Sequence, residues 1–174
     1  MVMDDAYYNA DQLPNMAVLD GGATSFLVGR NTLKNYVNKL QDNGYDVQKI
    51  KFHSCEKVFR FGNDKTELSE LCAILPVSFG RRVGEILVYV VDGSTPFLFA
   101  RPVMEQMELT VDFGEKRLRW KGGPWFPVVS SPIGHYLLDM LEDIDLLVNG
   151  TKPQYTLLPV DLETHVRRDR HCPS

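Results

Sequence analysis

Apolar segments of strand length recur along most of the chain, some of them alternating with polar residues and others continuous. The first apolar run, over about residues 15–19, ends at Asp20, and another begins at Phe26. Later apolar runs of strand length lie at residues 50–53, 58–61, 73–78, 86–91, 96–100, 109–113 and 118–120. Gly-containing turns separate most of them. The pattern predicts an all-β protein, mostly β with short helices.

Three segments show helical spacing instead. In the first, residues 31–43, the residues of one face are Leu33, Tyr36, Val37 and Leu40. Asn31 is the expected N-terminal cap, and Gly44 is the expected stop. Residues 101–107 predict a short helix, because Pro102 suits a first helical turn. Tyr136, Leu137, Met140, Leu141 and Ile144 also have helical spacing.

One segment, residues 16–28, carries the strongest chemical signal. An apolar strand runs directly into Asp20, which is followed by Gly21, Gly22, Ala23 and Thr24 before the next apolar strand. A charge at the end of a buried run is costly unless it has a partner or a task. The glycines allow the backbone to turn tightly beneath it. Asp20 is therefore a candidate functional residue.

This segment resembles the active-site loop of aspartic proteases, in which apolar residues precede Asp-Thr/Ser-Gly-Ala/Ser. Asp20 matches the catalytic aspartate, Gly22 the family glycine and Ala23 the small residue after it. Gly21 departs from the pattern, because the family has a hydroxyl residue there that interlocks two loops across a dimer. Thr24 stands where many viral members have an acidic residue that pairs with an arginine.

The order of later segments extends the resemblance over roughly residues 14–121, to retropepsin-like proteases of LTR-retrotransposon polyproteins. A hairpin tip follows in the place of the flap, the flexible hairpin that covers the substrate; its residues are Phe61, Gly62, Asn63 and Asp64. The segment expected beside the aspartate loop comprises Leu98, Phe99, Ala100 and Arg101. Ala100 replaces a family glycine, and Arg101 matches the family arginine. Residues 31–43 match a helix that these retrotransposon proteases often insert.

The resemblance implies a half-barrel with one lobe per chain, and hence a homodimeric aspartic endopeptidase. Aspartic proteolysis needs two carboxylates that share one proton, one acting on a water and the other on the carbonyl. The chain offers one such loop, so the second Asp20 would come from a second copy. The expected substrate is an extended peptide of a retrotransposon-type polyprotein. The alternative is a degenerate copy, kept as a dimerisation or peptide-binding module without cleavage.

Bulk properties narrow the remaining classes of function. The net charge of −4 does not favour direct nucleic-acid binding. The three cysteines suggest reduced thiols of a cytoplasmic protein, and no apolar run has the length of a membrane span. His53, Cys55 and Cys72 fit no standard zinc spacing, so we expect no metal and no cofactor.

The sequence also suggests a division of the chain into four parts. Residues 1–13 are expected to form a flexible arm, and residues 14–121 the protease domain. Residues 122–147 are expected to form an extension with a helix, and residues 148–174 a flexible tail.

Overall fold

The computed structural model describes residues 14–61, 64–132 and 134–158. Twelve strands lie in these ranges: β1 Met16–Asp20, β2 Leu27–Gly29, β3 Lys51–Arg60, β4 Thr66–Phe79, β5 Arg82–Val91, β6 Phe97–Ala100, β7 Thr110–Asp112, β8 Arg117–Arg119, β9 Phe126–Pro127, β10 Val129–Ser130, β11 Tyr136–Asp139 and β12 Tyr155–Leu157. The α-helices described are α1 Arg30–Asp42, α2 Arg101–Gln106 and α3 Ile144–Val148, and a 3-10 helix covers Val47–Lys49. The prediction of a mostly-β protein with short helices is confirmed.

The described strands form one large sheet and one small one. The large sheet has the order β10-β11-β1-β6-β2-β5-β4-β3, and β12 also pairs with β5. Strands β1 and β6 are parallel, as are β2 and β5. The small sheet has the order β7-β8-β9. The apolar runs at 109–113 and 118–120 are found as β7 and β8, which pair antiparallel in a hairpin.

The large sheet carries buried apolar residues on both faces. The main core packs against one face, here called the core face, and includes Ala17, Phe97 and Phe99 together with Tyr36 of α1. The opposite face, here called the site face, carries a smaller cluster that comprises Val18, Leu27, Phe59, Cys72, Ile74, Leu87, Tyr89, Val91 and Leu98. Neighbouring positions of β1 thus contact different clusters, as the strand's period of two requires.

Strands β3 and β4 form a hairpin that extends past the rest of the sheet. The β4–β5 pairing runs from Phe79 only as far as Leu71, whereas the β3–β4 pairing continues to the Arg60–Thr66 pair. A register shift between Ser54 and Lys57 marks the base of this arm. The end of the hairpin therefore has only its own two strands for main-chain pairing, a geometry that favours local movement.

Helix α1 confirms one sequence prediction and corrects another. Leu33, Tyr36 and Leu40 are buried as predicted, and Gly44, with a φ of 93°, follows the helix end. The predicted cap is wrong, because the helix begins after Gly29. The Asn31 side-chain nitrogen donates instead to the Ser94 hydroxyl at 3.1 Å.

The structure differs most from the sequence-based predictions in the C-terminal third of the chain. The helix predicted from the spacing at 136–144 is wrong over its first part, because residues 136–139 form β11, which pairs with β1. Residues 155–157 of the predicted flexible tail form β12. Strands β10, β11 and β12, all after residue 121, thus belong to the large sheet. The predicted arm, residues 1–13, and the rest of the tail, 159–174, lie outside the described residues.

Two tyrosines with buried hydroxyl groups allow a test of the hydrogen bonds in this fold, because removing each hydroxyl should change the stability in opposite directions. The Tyr36 hydroxyl donates to the Pro76 carbonyl at 2.6 Å, and burial raises its pKa well above the usual value. The Tyr155 hydroxyl is also buried, but it has no hydrogen-bond partner among the described residues. A buried polar group without a hydrogen-bond partner destabilises the folded state, whereas a buried hydrogen-bonded group stabilises it.

We therefore expect Tyr155→Phe to raise the free energy of unfolding by about 1 kcal/mol, and Tyr36→Phe to lower it by about 1–2 kcal/mol. Each variant removes the same oxygen atom, so each serves as the other's control. Urea unfolding monitored by circular dichroism measures both. Two changes of the same sign would contradict the hydrogen-bond assignments.

Candidate functional site

Asp20 is the last residue of β1 and lies on the site face of the large sheet. Its strand neighbour two positions earlier, Val18, is buried in the site-face cluster, whereas Ala17 and Leu19 contact the main core. The same alternation assigns Asp20 to the site face. Its side chain is partly exposed. The carboxylate is therefore held at the edge of an apolar surface and remains accessible to solvent.

Three hydrogen bonds hold the loop after Asp20, two between main-chain groups and one from a main-chain N–H to the Asp20 carboxylate. The Ala23 N–H donates to the Asp20 carbonyl oxygen at 3.2 Å, and the Gly22 N–H donates to Asp20 Oδ1 at 3.0 Å. The Arg101 N–H donates to the Ala23 carbonyl oxygen at 3.3 Å. These bonds fix the orientation of the carboxylate and tie its loop to the start of α2.

The residue at the main departure from the protease pattern, Gly21, is exposed. A Cβ placed on Gly21 would have no atom within 4 Å, and its φ is not in the left-handed region. The backbone there accepts an ordinary L-residue. The absent hydroxyl is thus a property of the sequence, and the loop geometry does not demand glycine.

A cleft of about 320 Å³ lies between the Asp20 loop and the end of β3, next to the tip of the β3–β4 hairpin. Its apolar wall includes Leu27, Leu98 and Phe59, and the ring of Phe59 packs edge-on against Tyr89 with centroids 5.6 Å apart. Asp20 lines the same cleft. The cleft thus combines one carboxylate with an apolar wall and a projecting hairpin.

The predicted site residues divide into those that line this cleft and those that do not. Those lining it are Asp20, Gly22, Ala23, Thr24, Phe61 and Leu98. Gly21, Asp64, Phe99, Ala100 and Arg101 lie nearby in the chain but do not line it. Gly62 and Asn63 of the predicted flap tip lie outside the described residues.

Sequence reasoning missed four residues of the cleft, namely Ser25, Leu27, Phe59 and Arg60. Ser25 and Leu27 directly follow the loop, and β2 begins at Leu27. Phe59 and Arg60 precede the predicted flap residues on β3. All four residues flank the two predicted segments in the sequence, so their position in the chain was the signal that could have identified them.

The structure also supplies a partner for Arg101. Its guanidinium lies 3.2 Å from the carboxylate of Glu105, one turn later on α2, and both side chains are mostly exposed. An exposed pair of this spacing adds little stability. Arg101 contributes to the loop through its backbone N–H, whatever residue occupies position 24.

The described ranges contain neither a cluster of metal-ligating side chains nor a helix that could span a membrane. No group of three or more His, Cys, Asp and Glu side chains there is arranged to hold a metal ion. Among the same residues, no helix is both long enough and apolar enough to cross a bilayer. The polar residues that line the cleft are Asp20, Arg60, Thr24 and Ser25, so it combines one carboxylate with a guanidinium, two hydroxyls and main-chain groups.

Comparison of the sequence with models of protein families gives no match, and neither does comparison with curated proteins.

Ala100 stands where the retropepsin-like proteases that the sequence resembles have glycine. It is paired with Asp20 in the β1–β6 register and is fully buried. A small void of about 30 Å³ lies beside it, so the methyl group has room. We therefore expect Ala100→Gly to lower the free energy of unfolding by about 1–2 kcal/mol, through lost burial and added chain entropy.

The control for this substitution is Ala73→Gly, because Ala73 is equally buried in β4. Urea unfolding should give a similar loss for both variants. If Ala100→Gly stabilises the protein while Ala73→Gly does not, the methyl group beside Asp20 is strained.

Proposed function

We propose that this protein is a homodimeric aspartic endopeptidase with a retropepsin-like fold, in which paired Asp20 carboxylates activate water. The observation that carries the proposal is the position of Asp20. Its carboxylate is oriented by the Gly22 N–H and lines a cleft beneath a projecting hairpin. A carboxylate in such a place serves no ion pair among the described residues.

The order of elements around the cleft supports the proposal. The Asp20 loop is followed by a helix, then by the projecting hairpin, then by a strand that pairs in parallel with the aspartate strand. That strand ends at Ala100, directly beside Asp20, and continues into the short helix α2. This is the order expected of a retrotransposon-type retropepsin.

The chemistry requires a second carboxylate, which the described cleft lacks. A second copy related by a twofold axis would bring its own Asp20 to the first. Two carboxylates at close range share one proton, because both cannot easily be ionised. The ionised one takes a proton from water as that water attacks the peptide carbonyl, and the protonated one donates to the carbonyl oxygen.

The cleft also favours a class of substrate. A peptide in extended form would lie between the Asp20 loops and the two hairpins, which would close over it and exclude water. The apolar wall formed by Leu27, Phe59 and Leu98 suits an apolar side chain beside the scissile bond. A retrotransposon-type polyprotein is the proposed source of such peptides.

A second candidate is the same fold used for dimerisation or peptide binding without cleavage. The observation that favours it is Gly21, since the chain lacks the hydroxyl that interlocks the two loops in active relatives of this type. This candidate predicts that peptides bind the cleft and emerge intact. The experiments below separate the two.

We expect purified protein to cleave members of a mixed peptide library at mildly acid pH, with inhibition by pepstatin. Asp20→Asn should reduce cleavage to background, because the amide cannot share the proton of the pair. The matched control is Asp92→Asn, since Asp92 also precedes a glycine but is fully exposed and 3.5 Å from Arg30. Mass spectrometry of the products reads out all three proteins.

Mixing wild-type protein with each variant tests whether the active unit needs one Asp20 from each of two copies. Excess Asp20→Asn protein should suppress the wild-type activity, because heterodimers contain one carboxylate. Excess Asp92→Asn protein should not. Undiminished activity in the first mixture would mean that a single copy is the active unit, and peptide binding without any cleavage would favour the second candidate.

Gly21→Thr is expected to strengthen the dimer. A hydroxyl that bonds across the twofold axis adds about 1 kcal/mol net, and symmetry counts it twice. The gain of about 2 kcal/mol corresponds to a dissociation constant more than tenfold lower. The open space around Gly21 and its ordinary φ allow the substitution.

Sedimentation equilibrium measures this dissociation constant. Gly21→Ala is the control, since it stiffens the loop without adding the hydroxyl. A threonine variant that dimerises no better than the alanine variant would argue against contact between the two loops.

A further inference from the structure

The C-terminal strand β12 runs toward the Asp20 loop. It is parallel to β5, with Leu157 opposite Ile86. Strand β2 is also parallel to β5 and starts further along it, with Leu27 opposite Tyr89. Both strands pair with the same strand in the same direction, so the end of β12 points at the residues that precede Leu27. Those residues are the second half of the Asp20 loop.

Leu157, the last residue of β12, lies beside this part of the loop. Its side chain lines a small void of about 30 Å³ together with Thr24, Ser25, Phe26 and Ala100. A void of about 30 Å³ has the volume of roughly one water molecule, so Leu157 and this part of the loop are close neighbours. Leu157 itself is partly buried against the main core.

The other end of β12 is fixed by Tyr155. Its ring lies over Gly84 of β5, where a Cβ would come within 1.9 Å of the ring carbon Cζ. The same ring lies 4.8 Å from that of Trp120, measured between centroids. The close approach requires glycine at position 84, so β5 is shaped to seat this strand.

We propose that Leu157 is a positioning residue for the Asp20 loop, held in place by the seating of Tyr155 on Gly84. Strand β12 supports the Thr24–Phe26 side of the loop, which the β1–β6 pairing does not reach. The effect on catalysis rests on the proposed function; the effect on the loop does not.

The test compares Leu157→Ala with Leu146→Ala. Leu146, in α3, is likewise a partly buried leucine against the main core, but α3 contacts β4 rather than the loop. Hydrogen exchange is followed at the Ala23 and Tyr89 amides, which bond to Asp20 and Phe26 at the two ends of the loop. The reference is the Ser78 amide, which bonds to Met140.

Leu157→Ala should speed exchange at Ala23 and Tyr89 by about tenfold and leave Ser78 near its wild-type rate. Leu146→Ala should leave the two loop amides unchanged. In a cleavage assay, Leu157→Ala should lower kcat by about tenfold with little change in KM, because the misplaced carboxylate acts on the bound substrate. Equal effects of both variants on the loop amides would overturn the proposal.

A second variant keeps the test decisive if Leu157→Ala fails to fold. Gly84→Ala introduces a methyl group where the Tyr155 ring lies, and so unseats β12 without touching the loop. It should reproduce the faster exchange at Ala23 and Tyr89, and unchanged exchange there would also overturn the proposal. If the wild-type protein cleaves no peptide, the proposed function fails, while the exchange results still decide the role of Leu157.

Discussion

The parallel pairing of β1 with β6 is the constraint on which the candidate site depends. Four residue pairs, from Ala17–Phe97 to Asp20–Ala100, join strands that are separated by residues 21–96. Parallel neighbours need such a crossover, and here the crossover contains α1, the projecting hairpin and β5. Asp20 reaches its final surroundings only when that whole segment has folded. The position of the Asp20 carboxylate therefore depends on the folding of most of the described structure.

The register of this pairing also decides which way the carboxylate faces. Alternation along β1 sends Ala17 and Leu19 to the main core and Val18 to the site face. A shift of one residue would exchange the two sets and turn Asp20 toward the core. An unpaired carboxylate there would cost several kcal/mol. The alternation of apolar residues that fixes the β1–β6 register thus also disfavours the shifted register, in which Asp20 would face the core.

The sequence was informative where a pattern is local and strong. The Asp20 loop, helix α1 and the strands from β4 to β8 follow from periodicity and turn residues. It misled where a distant partner decides the structure. Residues 136–139 have apolar spacing that suits a helix, but they complete the open edge of β1 and become a strand. No local pattern indicates that the backbone N–H and the guanidinium of Arg81 both donate to the buried carboxylate of Asp143, which lies 62 residues later. The three residues of β12 are too few to show any period.

The Asp20 loop is supported unevenly, and this asymmetry bears on how it would be used. One side is tied to β6 and α2 through Ala100 and Arg101, and the other joins β2 and lies beside Leu157. At Gly21 the loop has no neighbour within 4 Å of a Cβ position. A carboxylate that needs a second carboxylate must leave its approach open. The supported sides therefore hold the geometry within one copy, and the open side at Gly21 is the side at which the proposed dimer would bring in its second Asp20.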